Sequence, residues 1–296
     1  MRRTVVATDA CSRVRVAQQQ LHFSLTSEST PHCVPAEDVG LVILESDLAT
    51  VSAQALREIA KAGAAMVVCD ERHLPVGVFL SFSGHSESTR IMRLQVAVSK
   101  PRMKQVWAQL VRAKIQAQLA NCPAGSPVAK RLQVLVRGVR SGDPDNREAQ
   151  AARAYWPILF ADPTFRRRPQ SLELRNTLLD YGYGVLRAAV ARACVSAGLS
   201  TYLAPMHITR DDPFCLAEDL MEPVRPLIDS AVIALLGTGT SSLDRPAKAQ
   251  LASVLSQSVL VGRERGPLDE ALTRLATSYA QFIGGERSTL AIPRRG

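Results

Sequence analysis

Arg137–Phe160 reads R-G-V-R-S-G-D-P-D-N-R-E-A-Q-A-A-R-A-Y-W-P-I-L-F. Ser141-Gly142-Asp143-Pro144 has the composition of a turn, and Asp145 is placed to cap the helix that follows. Ala149, Ala152, Trp156 and Leu159 recur at helical spacing, so they are expected on the packed face of that helix. Glu148 falls in its first turn, among Arg137, Arg140, Arg147 and Arg153. Two readings of Glu148 stand. Asp145-x-x-Glu148 has the spacing of a reciprocal cap, in which the third helical residue reaches back to the capping amide. Alternatively, a carboxylate near a helix start among arginines is suited to a metal beside a phosphate. The segment itself does not decide between them.

Outward from this helix the chain divides. Toward the N-terminus, Thr4–Ala7, Arg13–Ala17, Leu21–Leu25, Leu41–Leu44, Ala65–Cys69 and Val76–Leu80 are short runs rich in β-branched residues, separated by turn residues. One helix interrupts them, capped by Ser52 and ended by Gly63, with Leu56, Ile59 and Ala60 facing inward. Glu37, Asp38, Glu45 and Asp47 are expected to face solvent or a partner. Ser81–Ser86 reads as a linker, and beyond it strand signals nearly vanish. Helical spacing predicts helices over 88–99, 103–120, 128–140, 174–197, 246–260 and 267–282, with a mobile tail from Ala291. The expectation is an α+β chain: a small β-rich N-terminal domain over residues 1–82, then a larger all-α C-terminal domain over residues 83–296.

The charge follows the same division. The chain of 296 residues carries a formal net charge of +9. Residues 1–80 hold 7 basic and 9 acidic side chains, whereas residues 90–175 hold 17 basic and 5 acidic ones. A net excess of 12 in one helical region, mostly arginine, points to a polyanionic partner, most simply nucleic acid. No apolar run approaches the roughly 18 residues needed to span a bilayer. The apolar run after Arg2 and Arg3 is too short for a secretory leader, so a cytoplasmic location is expected. The six cysteines lack any C-x-x-C pair, which argues against a zinc site and a disulfide framework; Cys69 and Cys194 lie in apolar surroundings and are expected to be buried thiols.

A second cluster lies at Asp212–Pro226, D-P-F-C-L-A-E-D-L-M-E-P-V-R-P. In a helix, Glu218 and Glu222 stand one turn apart, and Asp219 shares a face with Glu222. Pro223 disfavours regular helix at Glu222, an irregular spot where a metal is welcome. A solvated acidic face with a Glu222–Arg225 pair explains the same residues. His207 follows a loop and precedes Glu222 by 15 residues. It can be a structural histidine or, with two carboxylates, a ligand for Mg²⁺ or Mn²⁺. No phosphate-cradling G-x-x-x-x-G-K loop, G-x-S-x-G elbow or G-x-G-x-x-G fingerprint is present. The glycines of Tyr181-Gly182-Tyr183-Gly184 are better placed to let a helix pack closely than to bind a nucleotide.

V-C-D-E-R-H-L-P-V-G-V-F-L-S-F-S-G-H (68–85), R-S-G-D-P-D-N-R-E-A-Q-A-A-R-A-Y-W (140–156), L-L-D-Y-G-Y-G-V-L-R-A-A-V-A-R-A (178–193) and F-C-L-A-E-D-L-M-E-P-V-R-P (214–226) occur in this order. Together they resemble the CRISPR-associated integrase of spacer acquisition, CRISPR-associated protein one, in its type II branch. The resemblance covers the chain to about Asp229. It implies a homodimer whose β-rich domain makes dimer and partner contacts, with a dimer of the small CRISPR-associated protein two bridging two such homodimers. It also leaves room for contact with the type II RNA-guided effector nuclease. The implied reaction is a metal-dependent transesterification, in which the 3′-hydroxyl of a captured double-stranded DNA fragment attacks a phosphodiester at the repeat boundary. The implied ligands of Mg²⁺ or Mn²⁺ are Glu148, His207 and Glu222, and these three are the expected catalytic residues. Arg137, Arg140, Arg147, Arg166, Arg167 and Arg168 are the candidate DNA contacts. Asp180, Ala204 and Val224 depart from the family's usual Asn, Gly and Phe. A non-catalytic DNA-binding scaffold and a stand-alone structure-specific repair nuclease are the competing readings.

Overall fold

The computed structural model describes residues 3–7, 10–82, 85–207 and 212–296. The expected linker at Ser81–Ser86 includes residues 83 and 84, which lie outside them. Two four-stranded sheets fill the N-terminal region. The first is ordered β1 (Arg3–Ala7), β5 (Val39–Leu44), β7 (Ala65–Cys69), β8 (Pro75–Phe79); only the β7–β8 pairing is antiparallel. The second is ordered β4 (His32–Pro35), β3 (Gln20–Leu25), β2 (Cys11–Ala17), β6 (Thr50–Val51). The short edge strands β4 and β6 carry little sequence signal of their own, because pairing with β3 and β2 holds them extended. Helix α1 (Ala53–Lys61) begins where expected, with Ser52 Oγ accepting from Ala55 N–H at 3.1 Å.

Every residue of β5 is buried. Val42 and Leu44 join a core with Val14, Leu21, Phe23 and Ile59, whereas Leu41 and Ile43 face a second core shared with the helices. A strand covered on both faces shows a continuous apolar run instead of alternation. Glu45, just beyond it, is buried, not solvent-facing. Lys248 Nζ lies 3.1 Å from its Oε2, and Tyr181 Oη donates to its Oε1 at 3.1 Å. A buried carboxylate is tolerable only when paired in this way.

The helical region is built around α6 (Leu174–Ser196), which contacts β5, β7 and β8 on one side. On the others it meets α7 (Cys215–Met221), α8 (Arg225–Gly237), α9 (Arg245–Ser253) and α10 (Leu268–Gly284). Its glycines serve close packing, as expected. A Cβ on Gly182 would meet Ile228 at 2.4 Å, and one on Gly184 would meet Pro75 at 2.5 Å. Helices α2 (Ser88–Ala97), α3 (Lys100–Ala120), α4 (Pro127–Gly138) and α5 (Arg147–Leu159) complete the body. Cys194, inside α6, is fully buried, which pushes its thiol up to about 12.

Two local expectations change. The helix expected to reach Leu260 ends at Ser253, and β9 (Ser258–Val261) forms a small sheet with β10 (Glu264–Pro267) and β11 (Arg294–Arg295), in the order β10-β9-β11. Ser-Val-Leu-Val favours strand, and Gly262 supplies the positive-φ turn back into β10. The tail, expected to be mobile, is pinned instead: Leu290 N–H donates to Gln109 Oε1 at 2.9 Å and Ala291 N–H to Ser278 Oγ at 2.8 Å. Among the described residues no helix is long and apolar enough to cross a membrane.

Candidate active site

Helix α5 starts differently from the sequence reading. Asn146, in the left-handed region at φ 51°, is the cap, its Oδ1 accepting from Ala149 N–H. Asp143 takes the next two amides, accepting from Arg147 N–H at 2.9 Å and Glu148 N–H at 3.0 Å. Asp145 pairs with Arg140. With the first-turn amides already held, the Glu148 side chain is released from the reciprocal cap and turns toward the interior. The packed face of α5 is centred on Ala151 and Tyr155, one step round from the expected positions. Trp156 is half-buried, stacked on Phe160.

Glu148 meets Lys114 of α3, whose Nζ lies 2.6 Å from Glu148 Oε1 and also pairs with Glu222 Oε2. Two carboxylates 74 residues apart in sequence thus converge on one buried ammonium. Glu222 ends α7 at the residue before Pro223, and Arg225 Nη1 reaches its Oε1 at 3.2 Å. Arg225 also pairs with Glu218, to which Arg187 approaches at 3.4 Å. The stacked carboxylates of this cluster are therefore neutralised one by one rather than solvated. Burial works against the Glu222 charge, yet Arg225 and Lys114 hold its carboxyl below the usual range. Burial equally opposes the Lys114 charge, and Glu222 with Glu148 outweighs it, keeping the ammonium above the ordinary lysine value.

His207 completes the cluster from the loop after α6. Its Nδ1 is bonded to Oδ1 of the fully buried Asp219, whose Oδ2 accepts from Met206 N–H at 2.7 Å. Trp107 of α3 meets the imidazole edge-on, with centroids 5.9 Å apart. The bond to Asp219 raises the His207 pKa, reinforced by the charges of Glu222 and Glu148. A carboxylate on Nδ1 fixes the ring and leaves Nε2 as its other face, the arrangement common to metal-binding histidines. Side-chain exposure rises from 4% at Glu222 through 24% at Glu148 to 44% at His207, so the cluster opens outward on the imidazole side.

Among the described residues, no three His, Cys, Asp or Glu side chains stand in a group that could hold a metal ion. Two carboxylates and an imidazole are residue types that suit Mg²⁺ or Mn²⁺; here the two carboxylates share the Lys114 ammonium instead. Glu222 Oε2 is buried, with the Lys114 ammonium in direct contact with it.

The six candidate DNA-contacting arginines separate. Arg137 and Arg168 are exposed; Arg140 is exposed while pairing with Asp145, and Arg147 approaches the same carboxylate at 3.7 Å. Arg166 donates to the carbonyls of Pro163 and Phe165, and Arg167 is paired with Asp180 and bonded to Asn176. Asp180, the departure from Asn, thereby gains a guanidinium partner. Sequence reasoning missed Lys114 and the role of Asp219. The signal for Lys114 is a charged residue on the buried face of α3, in phase with Trp107, Leu110, Val111 and Gln118.

Residues 5–259 match the family model described as CRISPR associated protein Cas1. The chain belongs to the Cas1 family. It is 35% identical over 271 residues to the CRISPR-associated endonuclease Cas1 of Neisseria meningitidis, spanning 90% of this chain and 88% of that one. The Cas1 fold is shared with two solved structures. One is a casposase bound to integration product, with a TM-score of 0.81 at 18% identity over 99% of this chain and 93% of the other. The second is a Cas6-RT-Cas1–Cas2 complex, with a TM-score of 0.75 at 18% identity over 98% of this chain and 36% of the other. The Cas1 model ends within β9, so β10, α10 and β11 lie outside the matched region.

Proposed function

We propose that this chain is the DNA integrase of CRISPR adaptation, a metal-dependent endonuclease and transesterase that inserts captured fragments as new spacers. The observation that carries the reading is the meeting of Glu148 and Glu222 on one buried cation, with the oriented His207 beside them. The names of its relatives support it: an endonuclease in Neisseria meningitidis, a casposase bound to integration product, and a complex of Cas1 with Cas2. The proposed partners are double-stranded DNA, a second copy of this chain and a Cas2 dimer.

Glu148, His207 through Nε2 and Glu222 would hold Mg²⁺ or Mn²⁺. Such a cation, when bound, polarises a phosphate oxygen and stabilises the attacking or leaving oxygen. Asp219 orients the imidazole. Arg225 locks Glu218 and Glu222 in place, so the carboxylates need no rearrangement of the α7–α8 corner. The exposed Arg137, Arg140 and Arg168 would attract DNA phosphates. In the reaction the 3′ oxygen of the captured fragment bonds to phosphorus as the bridging oxygen of the repeat strand leaves. The number of phosphodiester bonds is unchanged, so a nucleotide-binding loop is unnecessary.

The test is strand transfer with a labelled 3′-hydroxyl DNA in Mn²⁺. Glu148→Ala and Glu222→Ala are expected to abolish strand transfer, with DNA binding largely retained. Full transfer by either variant, or transfer surviving EDTA, overturns the proposal. DNA binding with no product from the unaltered chain in Mn²⁺ would favour a non-catalytic scaffold.

A further inference from the structure

Lys114 occupies the place between Glu148 and Glu222 where the proposed function puts a divalent cation. Its side chain is only 12% exposed, and its ammonium touches a carboxylate on either side. A buried carboxylate and a half-buried one facing the same ammonium repel each other unless a positive charge separates them, and Arg225 reaches only the Glu222 side. An ammonium and a divalent cation cannot occupy one gap together. We propose that Lys114 is the resident counter-ion of this carboxylate pair, holding the site assembled without metal and leaving the gap when metal enters. The inference rests on the metal-dependent reading above.

The surroundings give the displaced ammonium a destination. Lys114 lines a cavity of about 480 Å³ whose walls also carry Gln118, Asp229 and the arginine-paired Asp180 and Glu218. Gln118 lies one helical turn from Lys114, and its Oε1 is buried without a hydrogen-bond partner. An orphan acceptor one turn along the same helix from a long flexible cation is a waiting site for it. Lys114 is thus a positioning residue for the carboxylates rather than a catalytic one. Metal affinity at this site is set by competition with a cation built into the fold.

The experiment is calorimetric titration of the full chain with Mn²⁺ alone, without DNA. Lys114→Met and Lys114→Gln are expected to bind Mn²⁺ at least tenfold more tightly than the unaltered chain, and Lys114→Arg to bind it no more tightly. Equal or weaker affinity in the neutral variants, with the unaltered chain binding normally, overturns the role of Lys114 while leaving the metal-dependent reading intact. Absence of Mn²⁺ binding by all forms sinks both. A second readout needs no substitution. In the unaltered chain labelled with ¹⁵N-lysine, Mg²⁺ should shift the Lys114 ¹⁵Nζ resonance out of its paired position. A resonance unmoved at saturating Mg²⁺ overturns the proposal, even where the variants fail to fold.

Discussion

Asp229 lies behind the candidate site, accepting from Tyr155 Oη at 2.8 Å and from Tyr183 Oη. Burial pushes its carboxyl up to about 6, against the two tyrosine bonds and the nearby charges of Arg225 and Lys114. An unfolded aspartate titrates near 3.9. Between these values the folded state binds more protons than the unfolded one, so the contribution of Asp229 to stability is fully present below about pH 4 and is lost as pH rises through about 6. The loss amounts to roughly 2–3 kcal/mol. Urea unfolding at pH 4.5 and pH 7.5 should show Asp229→Asn losing less stability on going to the higher pH than the unaltered chain does; an identical loss would refute the assignment. Nothing in the sequence around Asp229 announces this, because the two tyrosines arrive from α5 and α6.

At the scale of the element, the start of α5 decides how Glu148 is used. Asp145 has the right spacing for a reciprocal cap, but Asp143 and Asn146 do the capping. Asp143→Ala is therefore expected to cost about 1–2 kcal/mol in unfolding free energy. Asp145→Ala, which breaks partly exposed pairs with Arg140 and Arg147, should cost under about 1 kcal/mol. The reverse order in a denaturant titration would restore the sequence reading. The Asp143-Pro144-Asp145-Asn146 turn has several residues able to cap, and spacing alone does not choose among them. The existence of the helix was legible from periodicity; its first hydrogen bonds were not.

Across the whole molecule, the β-rich and helical regions are joined by the buried Glu45–Lys248 pair with Tyr181 bonded to it. The partners stand 203 residues apart. Lys248→Met leaves Glu45 uncompensated in the interior and is expected to destabilise by roughly 3–5 kcal/mol. Adding Glu45→Gln should recover most of that loss. A single variant as stable as the unaltered chain, by denaturant midpoint, would show that the pair does not hold the regions together.

The order of strands followed by helices and the long apolar α6 with its packing glycines were readable from the chain, whereas Glu148, His207 and Glu222 were singled out together only by the resemblance, and it is the fold that brings the two carboxylates onto one ammonium. Periodicity, turn composition and short ordered motifs are local properties. Burial of Glu45, pinning of the C-terminal tail and the Lys114 bridge were decided only in three dimensions. Each depends on charges or polar groups far apart in sequence, whose desolvation is tolerable only once folding has brought a partner alongside.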